Sequence, residues 1–390
     1  ADPGQGIAPN AKLIYCDRNI FEGDSTPPKL LEYLNRSARR GASIHNTSWH
    51  TARTGQYRWD SADVDRFSWE NEECLVIGSS GNNTETLGPP STAKNGLCVS
   101  AAWVAGGQSR LGDGANGKTA DGRRKPDLIA PGCDILSVSA AGDCQPALFQ
   151  YDAAEPCGNL PGVPNGVCCA ASFATPVVSG SAAIVRQYFV EGRYPIGNVS
   201  SNGFTPTGAL LKAVLLNATA RSDSSADYPD SSFMEGWGVL QLNRVIYPDD
   251  TRRKLWVRDV RHASGLVTGG VHSYPLQIIA NDIPFKVTLV WTDPPPMANS
   301  HTQPVVNDLD LEVRAPDGNT YYLGNNFVKP GVESAKGGDD TKRDRINNVE
   351  MVLITAPTPG QWTISVRAKT AQQRDGKKQG YALAATGAFA

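Results

Sequence analysis

The run Cys168-Cys169-Ala170-Ala171-Ser172-Phe173-Ala174-Thr175-Pro176 places one serine at the head of a segment whose later residues, Ser179, Gly180, Ala182 and Ala183, suit a slim, buried helix. Pro176 is expected in the first turn, where a missing N–H costs no intrahelical hydrogen bond. A serine at such a position has backbone N–H groups and the positive end of the helix dipole beside it, both suited to holding an oxyanion. Its hydroxyl becomes a nucleophile only when a hydrogen-bonded base takes its proton. An ordinary N-cap serine shows the same local pattern and needs no chemistry at all. Five histidines are available as bases: His45 and His50 upstream, and His262, His272 and His301 far downstream.

The elements that would position this serine can be read from apolar patterning. Residues 1–248 alternate short apolar runs with helical segments, which reads as an α/β domain built on a parallel sheet. The runs are Ala11–Tyr15, Ala42–His45, Cys74–Gly78 and Gly96–Ser100. Leu30, Leu31 and Leu34 share one face of a helix over Pro28–Ser37, closing a β-α-β unit, and a second helix spans Thr207–Leu216. From residue 249 onward the period changes to two: Phe285, Val287, Leu289 and Trp291 alternate with other residues, as do Leu309, Leu311 and Val313, and then Trp362, Ile364 and Val366. Ala315–Thr320 reads as a turn. Residues 249–390 are therefore expected to form an all-β, jelly-roll-like sandwich.

Composition excludes several classes of partner. With 37 basic against 39 acidic side chains and a formal net charge of −2, there is no global field to attract nucleic acid or an anionic membrane. No apolar run is long enough to span a bilayer. Eight cysteines all precede residue 170, and Cys133, Cys144, Cys157, Cys168 and Cys169 crowd into one stretch. The absence of CxxC pairs disfavours zinc and favours disulfides within that stretch, with the pairing open. Cys74 and Cys98 read as plain buried thiols. Sequons at Asn35, Asn46, Asn82, Asn198 and Asn217 agree with an oxidising route, so a secreted eukaryotic glycoprotein is expected.

Several segments, in order, resemble the subtilisin-like serine proteases. Gly6-Ile7-Ala8-Pro9-Asn10-Ala11 is similar to the family's G-x-A-P-x-A, and Gly41 to Trp49 to the strand that ends in N-S-W-G beside the substrate. Ser79-Ser80-Gly81-Asn82 stands for A-A-G-N, Lys125 to Gly132 for K-P-D-x-x-A-P-G, Ala170 to Pro176 for G-T-S-M-A-T-P, and Gly236-Trp237-Gly238 for G-W-G. The second half resembles the branch with a C-terminal β-sandwich, through Leu289–Asp293, Val306–Leu311 and Arg345–Glu350. The resemblance implies a three-layer α/β fold, Ser172 as nucleophile and Asn82 as oxyanion donor. It also implies a substrate groove lined by Ser48, Trp49, His50, Ser79, Ser80 and Gly81, with a protein or peptide as its occupant. No cofactor is required, although Asp308, Asp310 and Glu350 are candidate calcium ligands.

The family's aspartate and histidine precede the G-x-A-P segment, and neither an H-G-T-H nor a D-T-G or D-S-G run occurs here. Removing the base costs subtilisin, the worked case of this chemistry, roughly 10⁶ in turnover. His50 replaces the last glycine of N-S-W-G, Ala170 and Ala171 replace the glycine and threonine before the serine, and Asn82 is itself a sequon. The expectation is a protease that is inactive or incomplete as this chain, acting by binding. The alternative is an active protease whose Asp and His lie on a separate N-terminal segment or partner chain, with the N-terminal part of the fold missing or rebuilt. In a further possibility the β domain is the recognition module.

Overall fold

Strands buried on both faces need continuous apolar runs, and the central strands have them. The computed structural model describes residues 5–16, 30–51, 54–82, 86–112, 114–115, 117–133, 135, 169–195, 197–223, 233–247, 252–296, 304–329 and 332–390. Helices α1 (Leu30–Ala38), α2 (Trp59–Glu70), α3 (Ala171–Val190) and α4 (Gly208–Asn217) accompany strands β1 (Ile44–Thr47), β2 (Leu75–Ser79), β3 (Leu97–Ala105), β4 (Gln108–Leu111), β5 (Leu128–Pro131), β6 (Thr219–Ala220) and β7 (Val239–Leu240). The sheet order is β1-β2-β3-β5-β7-β6, parallel from β1 to β7, with β4 and β6 antiparallel additions. Along β2, Leu75 and Ile77 face α3 and α4, while Val76 faces Leu30, Leu34, Val64 and Phe67 of α1 and α2. Two helical layers thus enclose one parallel sheet, the expected α/β architecture.

Nine further strands follow: β8 (Lys254–Val260), β9 (Val271–Ile278), β10 (Phe285–Val290), β11 (Asp308–Arg314), β12 (Tyr321–Lys329), β13 (Glu333–Lys336), β14 (Val349–Ile354), β15 (Gly360–Thr370) and β16 (Tyr381–Gly387). They form two antiparallel sheets, β14-β10-β16-β8 and β13-β12-β11-β15-β9. Phe285, Val287 and Leu289 of the first share a buried cluster with Leu309, Leu311, Val313, Trp362, Ile364 and Val366 of the second, as their alternation predicts. In the expected turn, Asp317 Oδ1 accepts from the N–H groups of Asn319 and Thr320 at 2.9 and 2.8 Å.

The two halves are joined through α4. All ten of its residues are buried, packed on the parallel sheet on one side and on β10 and β16 on the other. The non-core face of β10, where alternation alone suggests solvent, meets this helix instead. There Lys286 Nζ donates to Leu216 O at 3.1 Å and Thr219 O at 2.9 Å, satisfying carbonyls at the helix C-terminus. Lys94 is fully buried in a cage made by the Asp293 carboxylate and the carbonyls of Pro294 and Pro304, both at 2.6 Å.

Three sequence expectations are corrected. Ala11–Tyr15 does not form a strand: residues 5–16 have no ladder partner among the described residues, and Leu13 and Tyr15 are 91% and 86% exposed. The predicted β-α-β unit therefore lacks its first strand, because a parallel strand needs a hydrogen-bonded neighbour. Strand Ala42–His45 forms two residues later, as β1. Helix α2 was not anticipated, because its buried Asp60, Ser61, Asp65 and Ser68 dilute the apolar stripe of Val64 and Phe67.

Candidate active site

The site forms where parallel strands end. Thr47 and Gly78 are paired at the C-terminal ends of β1 and β2, and from there the segments Ser48–His50 and Gly81–Asn82 leave the sheet on either side of the N-terminus of α3. Crevices at the carboxyl ends of parallel strands are the usual place for a ligand in α/β sheets. The helix begins at Ala171, whose N–H donates to Asn82 Oδ1 at 2.9 Å, while Ala170 N donates to Gly132 O at 2.9 Å. Ala170 itself offers no side-chain cap, so Asn82 caps the helix in its place. With Oδ1 committed to the cap, the Nδ2 end of Asn82 is left as the donor end of the amide.

Pro176 lies in the second turn of the helix, not the first as the sequence suggested. Lacking an N–H, it cannot bond the carbonyl four residues back, which is that of Ser172. The Ser48 hydroxyl supplies the missing donor, reaching Ser172 O at 3.2 Å. Ser48 in turn accepts from Asn46 Nδ2 at 3.0 Å, and Asn46 Oδ1 accepts from Ser179 Oγ at 2.9 Å, two turns beyond Ser172 along the helix. Ser172 is therefore held through its backbone from both sides. Among the described residues no hydrogen bond reaches its hydroxyl.

The other groove residues divide between lining and scaffold. Ser79 and Ser80 are buried and turn inward: Gly81 N donates to Ser79 Oγ at 3.3 Å, and Ser80 Oγ donates to Gly81 O at 3.2 Å. Gly81 has φ +104°, and a Cβ there would come within 2.8 Å of the His50 ring. Its glycine is thus required twice, by conformation and by the imidazole packed on it. Trp49, half-buried, packs on the cluster beneath α1 and α2. His45 is a core residue: its ring meets Phe67 edge-on at 4.9 Å, and burial lowers its pKa to about 4.

Cys133 and Cys169 form a disulfide that ties the end of β5 to the residue before Ala170. Cys144, Cys157 and Cys168 lie outside the described residues, as do His301 and Asn83. Of the sequons, Asn46 and Asn198 are exposed, and Asn35 and Asn82 half-buried. Asn217 is corrected as a glycan site: it is 2% exposed, and its Nδ2 donates to Lys286 O, Thr288 Oγ1 and Ala384 O. Of the carboxylates named for calcium, Asp308 and Asp310 pair with an arginine and Glu350 with a backbone N–H. Arg345 Nη1 reaches Asp308 at 2.7 Å and Asp310 at 2.8 Å, and Glu350 accepts from Leu311 N at 2.6 Å. Among the described residues no three acidic, histidine or cysteine side chains are grouped to hold a metal ion.

Ser172 thus stands in the first turn of a buried helix at the carboxyl ends of the parallel strands, with the Asn82 amide beside it. The subtilase family model matches residues 1–238, and the chain belongs to that family. Two Dictyostelium discoideum proteins described as serine protease/ABC transporter B family members are similar to it. One, tagB, is 25% identical over 472 residues, covering 90% of this chain and 24% of its own length; the other, tagA, is 25% identical over 463 residues, covering 93% and 25%. The chain thus spans about a quarter of the length of these relatives. Among solved structures, fervidolysin from Fervidobacterium pennivorans, a keratinolytic enzyme related to subtilisin, matches 82% of this chain and 36% of its own at 16% identity, with a TM-score of 0.37. No helix among the described residues is long and apolar enough to cross a membrane.

Proposed function

We propose that this chain carries the nucleophile part of a subtilisin-like serine endopeptidase site, unactivated in the chain by itself and completed by a segment that supplies the aspartate and histidine. The observation that carries this reading is Ser172 fixed through its backbone by Ser48 and by the Asn82 cap on Ala171, with no base among the described residues bonded to its hydroxyl. In the completed site the histidine takes the Ser172 proton as Oγ attacks the peptide carbonyl, and Asn82 Nδ2 donates to the resulting oxyanion. A place for further chain supports the reading. Among the described residues β1 has no partner on its outer edge. Residues 7–10 turn and Leu13 and Tyr15 beyond them are exposed, while Ile7 lies against Gly180 of α3, one residue from the Ser179 that holds β1 through Asn46. Unpaired edges and exposed apolar runs of this kind take up another strand.

The second reading is a pseudoprotease that binds peptides without cleaving them, and it is favoured by His50, whose ring occupies the space over Gly81. In both readings the partner is a protein or peptide, the molecule is a secreted glycoprotein, no cofactor is required, calcium is at most structural, and the two C-terminal sheets form a sandwich. The test is turnover of a quenched fluorescent peptide library by the chain alone and by the chain co-produced with its upstream coding segment. Turnover is expected only from the pair and is abolished by Ser172→Ala. Turnover by the chain alone overturns the first reading, and none from either preparation favours the second.

A further inference from the structure

The nucleophile helix is anchored by a bond that chemistry can break. Cys169 is three residues before Ser172, and its sulfur is joined to Cys133, two residues past the end of β5. The bridge lies beside the other contacts that fix this end of α3: Ala170 N to Gly132 O at 2.9 Å, Ala171 N to Asn82 Oδ1 at 2.9 Å, and Ser48 Oγ to Ser172 O at 3.2 Å. Cys133 and Cys169 pair as an isolated antiparallel bridge, so strand end and helix start lie side by side as a single unit. The seat is shaped for the disulfide: a Cβ at Gly112 would come within 2.9 Å of Cys133 Sγ, and one at Gly132 within 2.8 Å of Ala170 O. Both cysteines are half-buried, so the sulfurs are not sealed in a core.

The other thiols on nearby strands cannot take over this role. Cys98 is fully buried, with its pKa pushed up to about 12 by burial, and Cys74 is raised to about 11 for the same reason. A thiol held protonated does not exchange. Beyond the disulfide and the tertiary bonds to Gly132, Asn82 and Ser48, the helix's own sequence adds few restraints at its start. The N-cap residue is an alanine with no capping side chain, no acidic side chain sits in the first turn, and Pro176 removes one intrahelical hydrogen bond. A helix end with so few restraints of its own depends on its tertiary ties, of which the disulfide is the covalent one.

We propose that Cys133–Cys169 is a thiol-exchange site through which a dithiol reductant controls the order of the helix end that presents Ser172. One thiolate of the dithiol attacks either sulfur, forming a mixed disulfide and releasing the other cysteine as a thiol. The second thiolate then closes on the first, so the dithiol leaves as a cyclic disulfide, oxidised by two electrons, and both cysteines are reduced. The consequence for catalysis rests on reading Ser172 as the nucleophile, but the loosening of the helix end does not.

Amide hydrogen exchange on the full chain, before and after reduction by dithiothreitol, tests this directly. Exchange at Ala170, Ala171, Phe173 and Ala174 is expected to accelerate by about tenfold or more on reduction, while Leu211–Leu215 of α4 stays protected. A Cys169→Ser variant should reproduce the accelerated exchange without reductant, and Cys16→Ser should not. Unchanged exchange at Ala170–Ala174, with alkylation and mass confirming that Cys133 and Cys169 are both reduced, overturns the proposal; so does equal loss of protection in α4, which means global unfolding. Because exchange reports the tether whether or not Ser172 is activated, failure here is distinct from failure of the protease reading.

Discussion

Lys286 offers a measurable consequence of the way the two halves are joined. It is buried, bonded to Leu216 O, Thr219 O and Thr219 Oγ1 and, among the described residues, to no carboxylate, and burial, with a smaller push from Arg244, lowers its pKa from 10.5 to about 7. The folded chain therefore resists protonation that the unfolded chain accepts. Between about pH 7 and 10.5 the unfolded state binds more protons, so stability rises with pH across that window, and the full penalty, at most about 5 kcal/mol, is present below it. Lys286→Met keeps the length and removes the charge, but leaves the helix-end carbonyls without a donor, at about 1–3 kcal/mol each. Because these effects oppose each other, the pH slope is the observable. Urea unfolding at pH 7.5 and 9.5 should show wild type gaining about 2.5 kcal/mol relative to the variant. Parallel curves for the two proteins would refute a buried, proton-resisting Lys286 and the contact with α4 that makes it so.

The remaining predictions concern the core and the domain join. Because burial holds His45 neutral to about pH 4, stability should fall as pH drops from 6.5 toward 4, by up to about 3 kcal/mol, and His45→Gln should flatten that loss in acid denaturation curves. Truncation after Tyr247 strips the β10 and β16 cover from one face of α4, at roughly 1.5–3 kcal/mol per exposed apolar side chain. The truncated chain should elute as aggregate and lose cooperative unfolding; a monomer with a sharp transition contradicts a shared core.

Much of this architecture is legible in the amino-acid order, and the exceptions have physical causes. Strand β2, the first part of β3 and helix α4 declare themselves because both faces of each are buried and most of their residues are apolar. The alternation of Leu309, Leu311 and Val313 likewise marks the face that enters the core. Alternation does not say what covers the opposite face, so Lys286 and Asn217 read as a surface lysine and a sequon, whereas both are buried against a neighbouring element. The Ala11–Tyr15 run has a strand's composition, but a strand also needs a partner, which composition does not supply. At the site, segment order points to Ser172 and Asn82. The Ser48 bond to the carbonyl that Pro176 leaves open is a tertiary contact, and its only sequence signal is a proline four residues after the serine.

The central claim is that Ser172 is a nucleophile position awaiting its base. A biotinylated fluorophosphonate, followed by intact mass and peptide mapping, measures this directly, since only an activated serine reacts. The account predicts no adduct on the chain alone and a Ser172 adduct when the chain is co-produced with its upstream coding segment. An adduct on the chain alone that disappears in Ser172→Ala would contradict it.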